Sequence, residues 1–335
     1  MGLEELNYYG KHRTPCVFII DFEGVRAHIL PASEAEKKGL CVQTPLHALP
    51  TNEQENLYFD WKTTPPDIAK YQLAYQIVYE NLFFGNSYLL NLSAPTLVET
   101  NLSLRQIFQA SQASYKVLFE HEAMSFVCFS PETFVRLQAG KIFSFPMKGT
   151  IDATLPNAKK IILHDQKELA EHYTIVDLIR NDLSQVAKQV RVKRFRYLDT
   201  IYTHAGKALL QVSSEVVGNL PKNYLENLGD ILATLLPAGS ISGAPKKKTV
   251  EIIKNAESIF QYTDQTPYQR DFYTGICGYF DGETVDTGVM IRFIQQVGRD
   301  LYFKSGGGIT TQSTLESEYH ELIQKVYVPI FTHFI

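Results

Sequence analysis

The sequence predicts a single α+β domain. Strand-like runs come in clusters separated by helical segments instead of alternating strictly with helices, which is the pattern of separate sheets and helices and not of a doubly wound parallel sheet. Two long segments, 67–84 and 164–189, place apolar residues at three- and four-residue intervals, the period of a helix with one buried face. No linker, low-complexity tract or fixed-period repeat divides the 335 residues, so the domain is read as spanning 1–335.

Near the N-terminus, CVFIIDFEG and RAHIL read as two strands around a Glu-Gly turn, followed by a polar, proline-containing stretch. Together, residues 1–66 are expected to form a short cover segment. In the segment 67–84 the stripe is Ile68, Tyr71, Tyr75, Val78 and Leu82. SYLLNLSAPTLV, YKVLFE and SFVCFS follow as strands, and FVRLQAGKIFSF reads as a hairpin turning across Gln138-Ala139-Gly140-Lys141. The helix 164–189 has Leu169, Tyr173, Val176, Ile179 and Leu183 as its stripe, with the polar residues lying off it. RVKRFRYL and KALLQVSSEVV are strands, a helix is expected near 223–236, and Pro245 suits the first residue of another helix. The segment from Phe272 to Gly308 is strand-rich, broken at Asp281-Gly282 and Gly298-Arg299. A last helix covers about 314–327, with Ser313 and Glu316 fitting a capping box at its start.

Composition excludes several functions. With 44% hydrophobic residues the chain can bury a large core, and a net charge of −4 at a pI near 6.2 offers no basic surplus for nucleic acid. No apolar run approaches the roughly 20 residues of a membrane span, and MGLEELNYYG carries no apolar export signal, so a soluble, unexported, cytoplasmic protein is expected. The four cysteines, Cys16, Cys41, Cys128 and Cys277, are too scattered for a disulfide framework or a zinc site.

Some residue patterns are suited to chemistry. Glu168 and Glu171 stand three apart on one helix, and Glu318 and Glu321 stand three apart on another, with Lys325 four further on. In isolation such acids are usually solvated, and Glu321 with Lys325 makes an ordinary surface pair. Brought together, the two acidic faces would supply hard oxygen ligands suited to Mg²⁺ that keeps waters and bridges to an anionic substrate. Lys148, between Pro146 and Gly149, occupies irregular backbone where partial desolvation would make it an amine nucleophile. Glu132, after Ser130-Pro131, would need a raised pKa to serve as a proton donor. Gly306-Gly307-Gly308 reads either as an anion-binding backbone or as a tight connection needing positive φ between a strand and the last helix. The run from Gly239 to Lys246 lacks the Gly-Lys-Ser/Thr ending of a phosphate loop, which removes a nucleotide-hydrolase reading.

Taken in order, NSYLLNLS, FSPETF, FPMKGT, AEHYTIVDLIRNDL, PAGSISGAPK, YTGICGYF, TGVMIRF, GGGIT and ESEYHELIQK resemble the chorismate-utilising enzymes, especially aminodeoxychorismate synthase component I and anthranilate synthase component I. The likeness covers roughly 83–325. It implies a four-layer α/β/β/α fold, with paired antiparallel sheets inside and helices outside. It also implies that Glu171 and Glu321 bind Mg²⁺ directly, with Glu168 and Glu318 holding metal-bound waters. Arg292, Lys325, Tyr273, Gln211 and the backbone at Gly149, Thr150 and Gly306, Gly307 and Gly308 would contact chorismate, a dianion suited to such a clamp. Glu132 would protonate the departing ring hydroxyl. Lys148 discriminates within the family, because the anthranilate synthase pattern resembles P-I-A-G-T with alanine there, whereas aminodeoxychorismate synthases carry the lysine. The implied reaction is attack by Lys148 at ring C2, then by ammonia at C4. That ammonia would come from a separate glutamine amidotransferase subunit, since no Cys-His glutaminase constellation occurs in this sequence.

Two positions depart from the template. Leu89 stands where amination enzymes usually have glutamine and water-adding relatives a lysine, and Gln211 stands at a usual histidine position. Leucine cannot activate water, and glutamine can hydrogen-bond but not carry a proton as imidazole does. The short N-terminal region implies no tryptophan feedback pocket. The rival readings are anthranilate synthase component I, which Lys148 opposes, and a non-catalytic chorismate-binding scaffold, which the retained acid, nucleophile and metal carboxylates oppose.

Overall fold

Every strand of the described chain joins one of two antiparallel sheets. The computed structural model describes residues 2–49, 59–202 and 208–330. One sheet has nine strands, in the spatial order Met147–Asp152, Ala208–Asn219, Lys141–Ser144, Thr133–Gln138, Val285–Val289, Ile276–Phe280, Cys16–Ile20 and Ala27–Pro31, with Lys188–Tyr202 also paired to Ala208–Asn219. The other has seven, in the order Leu40–Gln43, Tyr115–His121, Met124–Ser130, Phe293–Val297, Asp300–Ile309, Leu90–Glu99 and Lys62–Thr64.

The side-chain alternation of the strands shows how these sheets stack. In Cys16–Ile20 all five residues are buried. Phe18 and Ile20 pack with the helices Glu4–His12, Gln166–Ser184 and Leu228–Leu235, while Val17 and Ile19 pack with Val42, Tyr115 and Phe126 of the second sheet. On its far side the second sheet is covered by the helices Ile68–Phe83, Lys246–Glu257 and Leu315–Gln324, through Leu92, Val78, Ile253 and Leu322. The result is the α/β/β/α order, an α+β fold with apolar helix–sheet packing on both outer faces and a sheet–sheet core between them.

Glycine sets how closely the layers approach. A Cβ on Gly288 would lie 2.3 Å from the Tyr115 ring, so the side-chain-free strand receives an aromatic from the opposite sheet. The Tyr115 hydroxyl then donates to buried Asp286, 2.9 Å away.

Several elements depart from the sequence reading. The N-terminal segment is not a cover: Cys16–Ile20 and Ala27–Pro31 extend the nine-stranded sheet, while Leu40–Gln43 and Lys62–Thr64 form both edges of the other. Residues 50–58 of the polar stretch lie outside the described residues, as do residues 203–207, including Lys207, the first residue of the expected KALLQVSS strand. The helix Glu4–His12 is an element that the sequence reading does not assign; it buries Leu6 and Tyr9 against the helical layer beside it. The segment 164–189 divides at Asp165, whose side chain caps Gln166–Ser184 by accepting from Glu168 N at 3.0 Å. Within that helix Tyr173 is 56% exposed, whereas His172 and Asp182 are buried, so the polar residues are not confined to the outer face. Pro245 is the residue before the helix Lys246–Glu257, not its first. At the last helix Thr314 is the N-cap, accepting from Ser317 N, while Ser313 accepts from Thr310 N instead of forming a capping box with Glu316. The hairpin at Gln138–Lys141 follows its sequence signal, with positive φ at Ala139 and Gly140 and Gln138 paired to Lys141, as a type I′ turn requires.

Lys304 is fully buried in the central strand Asp300–Ile309. Its Nζ donates to the carbonyls of Gln269 and Arg270 at 2.6 and 3.0 Å, and Asp271 is 3.9 Å away. A neutral amine has two hydrogens, and those two carbonyls use both. Burial brings the amine from 10.5 down to about 7, against the opposing pull of Asp271 and Glu257. A lysine whose folded-state pKa is depressed binds fewer protons folded than unfolded between those two values, so stability rises with pH across that window. Urea denaturation from pH 7 to pH 9 should therefore show the wild type gaining stability relative to Lys304→Gln; a pH-independent difference would mean that the amine stays charged.

Candidate functional site

A cavity of about 970 Å³ opens where the helices Gln166–Ser184 and Leu315–Gln324 face one another across the strand ends, a size suited to a small ligand. Lys148, Glu132, Arg292, Lys325, Tyr273, Gly306, Gly308, Glu168, Glu171, Glu318 and Glu321 all line it. Gly149, Thr150, Gln211 and Gly307 are not among its lining residues.

The wall around Lys148 is a distorted sheet edge. Lys148 lies in the strand Met147–Asp152, which the sequence reading had taken as irregular backbone after the hairpin. Its pairing with Ala208–Asn219 slips between Met147 and Thr150, and Gly149 takes a φ of +87°, the geometry of a bulge that re-aims a side chain. Gln211 Nε2 donates to the Gly149 carbonyl at 3.0 Å, and the Thr150 hydroxyl reaches Gln211 Oε1 at 3.4 Å. Gln211 thus clamps the bulge and does not face the cavity. Behind it, buried His172 meets Ser214 Oγ at 2.7 Å, and Ser214 N donates to the Pro146 carbonyl.

Lys148 Nζ lies 2.8 Å from Glu171 Oε2 and is nearly half exposed to the cavity. Burial would lower its pKa, but the hydrogen bond it donates to Glu171 and the charges of Glu171, Glu168 and Glu321 outweigh burial and raise it. Lys325 Nζ pairs with Glu321 Oε1 at 2.7 Å and donates to the Gly306 carbonyl at 2.8 Å. The pKa of Glu318 is raised, chiefly by burial and with help from Glu321.

Among the described residues no three acidic, histidine or cysteine side chains already converge as a metal cluster. The chemistry of the donors nevertheless fits a hard divalent cation. Glu168 Oε2 and Glu318 Oε2 are buried without a hydrogen-bond partner, so each helix presents carboxylate oxygen that the protein leaves uncompensated. The glycines make the room. A Cβ on Gly307 would lie 3.1 Å from Glu318 Oε2 and 3.5 Å from Glu321 Oε1, and one on Gly149 would lie 2.8 Å from Glu168 Oε2.

The triple glycine is not a connection and needs no positive φ. All three residues belong to the strand Asp300–Ile309, paired to Asn91, Leu92 and Ser93. The neighbour on the other side, Phe293–Val297, reaches only as far as Lys304, which leaves one edge of the glycine run facing the cavity.

Arg292 and Glu132 add a cation and an acid to the cavity lining. Arg292 adopts a φ of +53°, strain of the kind stored at functional sites, and no carboxylate among the described residues pairs with it. Its guanidinium lies 4.8 Å from the Tyr327 ring centre, and burial lowers its pKa. A half-buried cation with no carboxylate beside it favours an anionic partner. The Glu132 carboxyl is pushed up by burial, opposed by a hydrogen bond from Ser240 and by Lys325. Ser240 was missed in the sequence because the Gly239–Lys246 run was tested only as a phosphate loop. That run is instead stitched to the loop carrying Leu89: Tyr88 N donates to the Ala244 carbonyl, and Gly243 leaves no room for a Cβ against Leu89 O.

The family model for chorismate binding enzymes matches residues 23–330. The chain belongs to the chorismate-binding enzyme family. Among its relatives, an uncharacterized PabA-like protein of Haemophilus influenzae is 49% identical over 328 residues, covering 98% of this chain and 96% of that one. Aminodeoxychorismate synthase component 1 of Salmonella typhimurium is 31% identical over 257 residues, covering 73% of this chain and 53% of that one. The crystal structure of anthranilate synthase component I from Streptococcus pneumoniae superposes with a TM-score of 0.66 at 23% identity, covering 82% of this chain and 60% of that one, which supports the shared fold. No helix among the described residues is long and apolar enough to cross a membrane.

Gly149→Ala tests the bulge. The left-handed φ alone costs a non-glycine residue about 1–2 kcal/mol, and the new methyl would press on Glu168. A matching drop in urea-denaturation stability is expected, and an unchanged midpoint would show that the strand accepts a side chain there.

Proposed function

We propose that this member of the chorismate-binding family is an Mg²⁺-dependent aminodeoxychorismate synthase, which converts chorismate to 4-amino-4-deoxychorismate. Ammonia would come from a separate glutamine amidotransferase subunit, and the product would serve 4-aminobenzoate and folate synthesis. The observation that carries this reading is the amine of Lys148 standing in the same cavity as Glu132, Arg292 and the four carboxylates.

Arg292 and Lys325 supply positive charge for the two carboxylates of chorismate, and the free strand edge at Gly306–Gly308 supplies backbone polar groups. Glu168, Glu171, Glu318 and Glu321 would hold Mg²⁺, which when bound neutralises the ring carboxylate and fixes its orientation. Lys148, as a free amine, attacks C2 as the C4–O bond breaks, and Glu132 delivers its proton so that the hydroxyl leaves as water. Ammonia then forms the C4–N bond, the Lys148 nitrogen departs from C2 as the free amine, and the surplus proton on the new nitrogen restores the Glu132 acid. The net change is chorismate plus ammonia giving 4-amino-4-deoxychorismate plus water, and the enolpyruvyl group is untouched.

Anthranilate synthesis is the competing outcome, since relatives with that name also match. Lys148 disfavours it by offering an internal amine at C2, the carbon that ammonia would have to attack on that route.

Purified protein given chorismate, Mg²⁺ and ammonium should yield 4-amino-4-deoxychorismate by mass spectrometry; anthranilate with stoichiometric pyruvate as the main product would overturn the proposal. Lys148→Ala and Lys148→Arg should both lose ammonia transfer at low ammonium, because arginine, with a pKa above about 12, keeps its proton and cannot act as a nucleophile. With ammonia withheld, the peptide bearing Lys148 should gain the mass of a chorismate-derived adduct, whereas an active Lys148→Arg enzyme with no adduct would sink the covalent step.

The metal assignment has its own check. Calorimetric titration with Mg²⁺ should show binding weakened at least tenfold, roughly 1.4 kcal/mol, in Glu171→Gln and in Glu321→Gln. Wild-type affinity in both would relocate the metal.

A further inference from the structure

The environment of Glu132 distinguishes its two carboxyl oxygens. The Glu132 backbone is fixed at both ends, its N–H donating to Ser130 Oγ at 3.1 Å and its carbonyl accepting from Val289 N at 3.0 Å. Ser240 Oγ donates to Glu132 Oε1 at 2.8 Å. No hydrogen bond from a described residue reaches Oε2, although both Glu132 and Ser240 line the cavity. A serine hydroxyl has one hydrogen, and when that hydrogen lies on Oε1 this oxygen is an acceptor. A protonated carboxyl in this setting must therefore carry its own hydrogen on Oε2.

Ser240 is itself held from both sides. It sits in the single turn Gly239–Ile241, between the helices Leu228–Leu235 and Lys246–Glu257. On one side a Cβ at Gly239 would lie 2.6 Å from Asp182 Oδ2, so the turn rests directly on that buried carboxylate. Asp182 pairs with Lys246 Nζ at 3.0 Å, and Lys246 Nζ donates to the Leu235 carbonyl at 2.7 Å, which ties three helices to the turn. On the other side the Ile241 carbonyl accepts from Arg270 at 3.3 Å, and Ser242 N bonds back to the Ala238 carbonyl at 3.0 Å. This bracing fixes the backbone from which the Ser240 side chain reaches Glu132 Oε1.

We propose that Ser240 is a positioning residue for acid catalysis, which pins Oε1 of Glu132 as an acceptor and so places the transferable proton on Oε2, the oxygen left free for a ligand. This rests on the reading of Glu132 as the proton donor to the leaving hydroxyl. The other titratable groups that face Glu132 are Lys325, from the end of the last helix, and Tyr273, from the segment before Ile276–Phe280. Neither distinguishes the two oxygens by a hydrogen bond. Without Ser240 the proton divides between both oxygens, and only one of the two placements is productive.

The test pairs kinetics with a direct view of the carboxyl. Infrared difference spectra should contain a protonated-carboxyl band that disappears in Glu132→Gln; in Ser240→Ala this band should move to higher frequency, as expected when a hydrogen bond to the carbonyl oxygen is lost. The same variant should consume chorismate with kcat reduced about ten- to hundredfold and KM little changed, within the range general acids contribute. The Ser240 bond favours the ionised carboxyl, so its loss raises the pKa of Glu132 and moves the alkaline limb of the kcat profile to higher pH. Ser240→Thr, which keeps the hydroxyl, should restore rate, limb and band. Ser240→Cys, with a weaker donor, should fall between and serves in place of the alanine variant if that variant does not fold.

A Ser240→Ala protein with the wild-type band and profile overturns the proposal, as does a Ser240→Thr protein that folds but behaves like alanine. A shifted band in a protein whose wild type leaves chorismate untouched would overturn the amination reading while upholding the contact between Ser240 and the carboxyl.

Discussion

The buried pair of Arg270 and Glu257 is the interaction on which the rest of this structure depends. Both side chains are almost fully buried, and the guanidinium meets the carboxylate at 2.6, 2.9 and 3.1 Å. Glu257 also accepts from the backbone and hydroxyl of Ser93 at 2.8 and 2.7 Å, while Arg270 donates to the carbonyls of Asn91 and Ile241. One ion pair thus joins the helix Lys246–Glu257, the strand Leu90–Glu99, the turn bearing Ser240 and the segment leading to Tyr273. Removing one partner of such a pair costs about 3–5 kcal/mol, because it strands a charge away from water. Asn91, Ile241 and Thr274, all contacted by Arg270, line the cavity, so the pair also serves as the cavity's foundation.

The site is assembled from opposing charges held apart by rigid parts. Two acidic helices face one another, and lysines from a bulged strand and a helix end are paired with them. The carboxylates left without partners and the unpaired Arg292 are costly on their own, and each cost is offset only when a ligand of opposite charge arrives. A cation for the acids and a dianion for Arg292 and Lys325 would satisfy all of them together, which is the charge argument behind the proposed dicarboxylate substrate and Mg²⁺. Glu132, the proposed acid, has a serine and not a second carboxylate hydrogen-bonded to it.

The departures from the amination template take on physical meaning here. Gln211 bonds to the Gly149 carbonyl and to Thr150, so its amide locks the shape of the Lys148 bulge without carrying a proton. Leu89 lines the cavity with an apolar side chain beside Tyr88, in a loop fastened to the Gly239–Lys246 run.

Local signals were legible in the chain. The hairpin at Gln138–Lys141, the helix with Tyr71 and Val78 on its buried face, and the acids three apart on two helices all follow from period and turn chemistry, because those depend on residues a few positions away. Nine ordered motifs also sufficed to place the chain near chorismate-utilising enzymes and to single out Lys148. The sequence could not show that Cys16–Ile20 lies inside the larger sheet, that the glycine run is a strand whose missing side chains make room for Glu318 and Glu321, or that Ser240 meets Glu132. Those facts depend on partners more than a hundred positions apart in the chain for Ser240 and Glu132, and farther for Cys16 and Phe280. Residue type and spacing therefore determined which groups were available for chemistry, and tertiary packing decided which would be buried, strained or left unpaired, because desolvation and close approach exist only once the layers have closed.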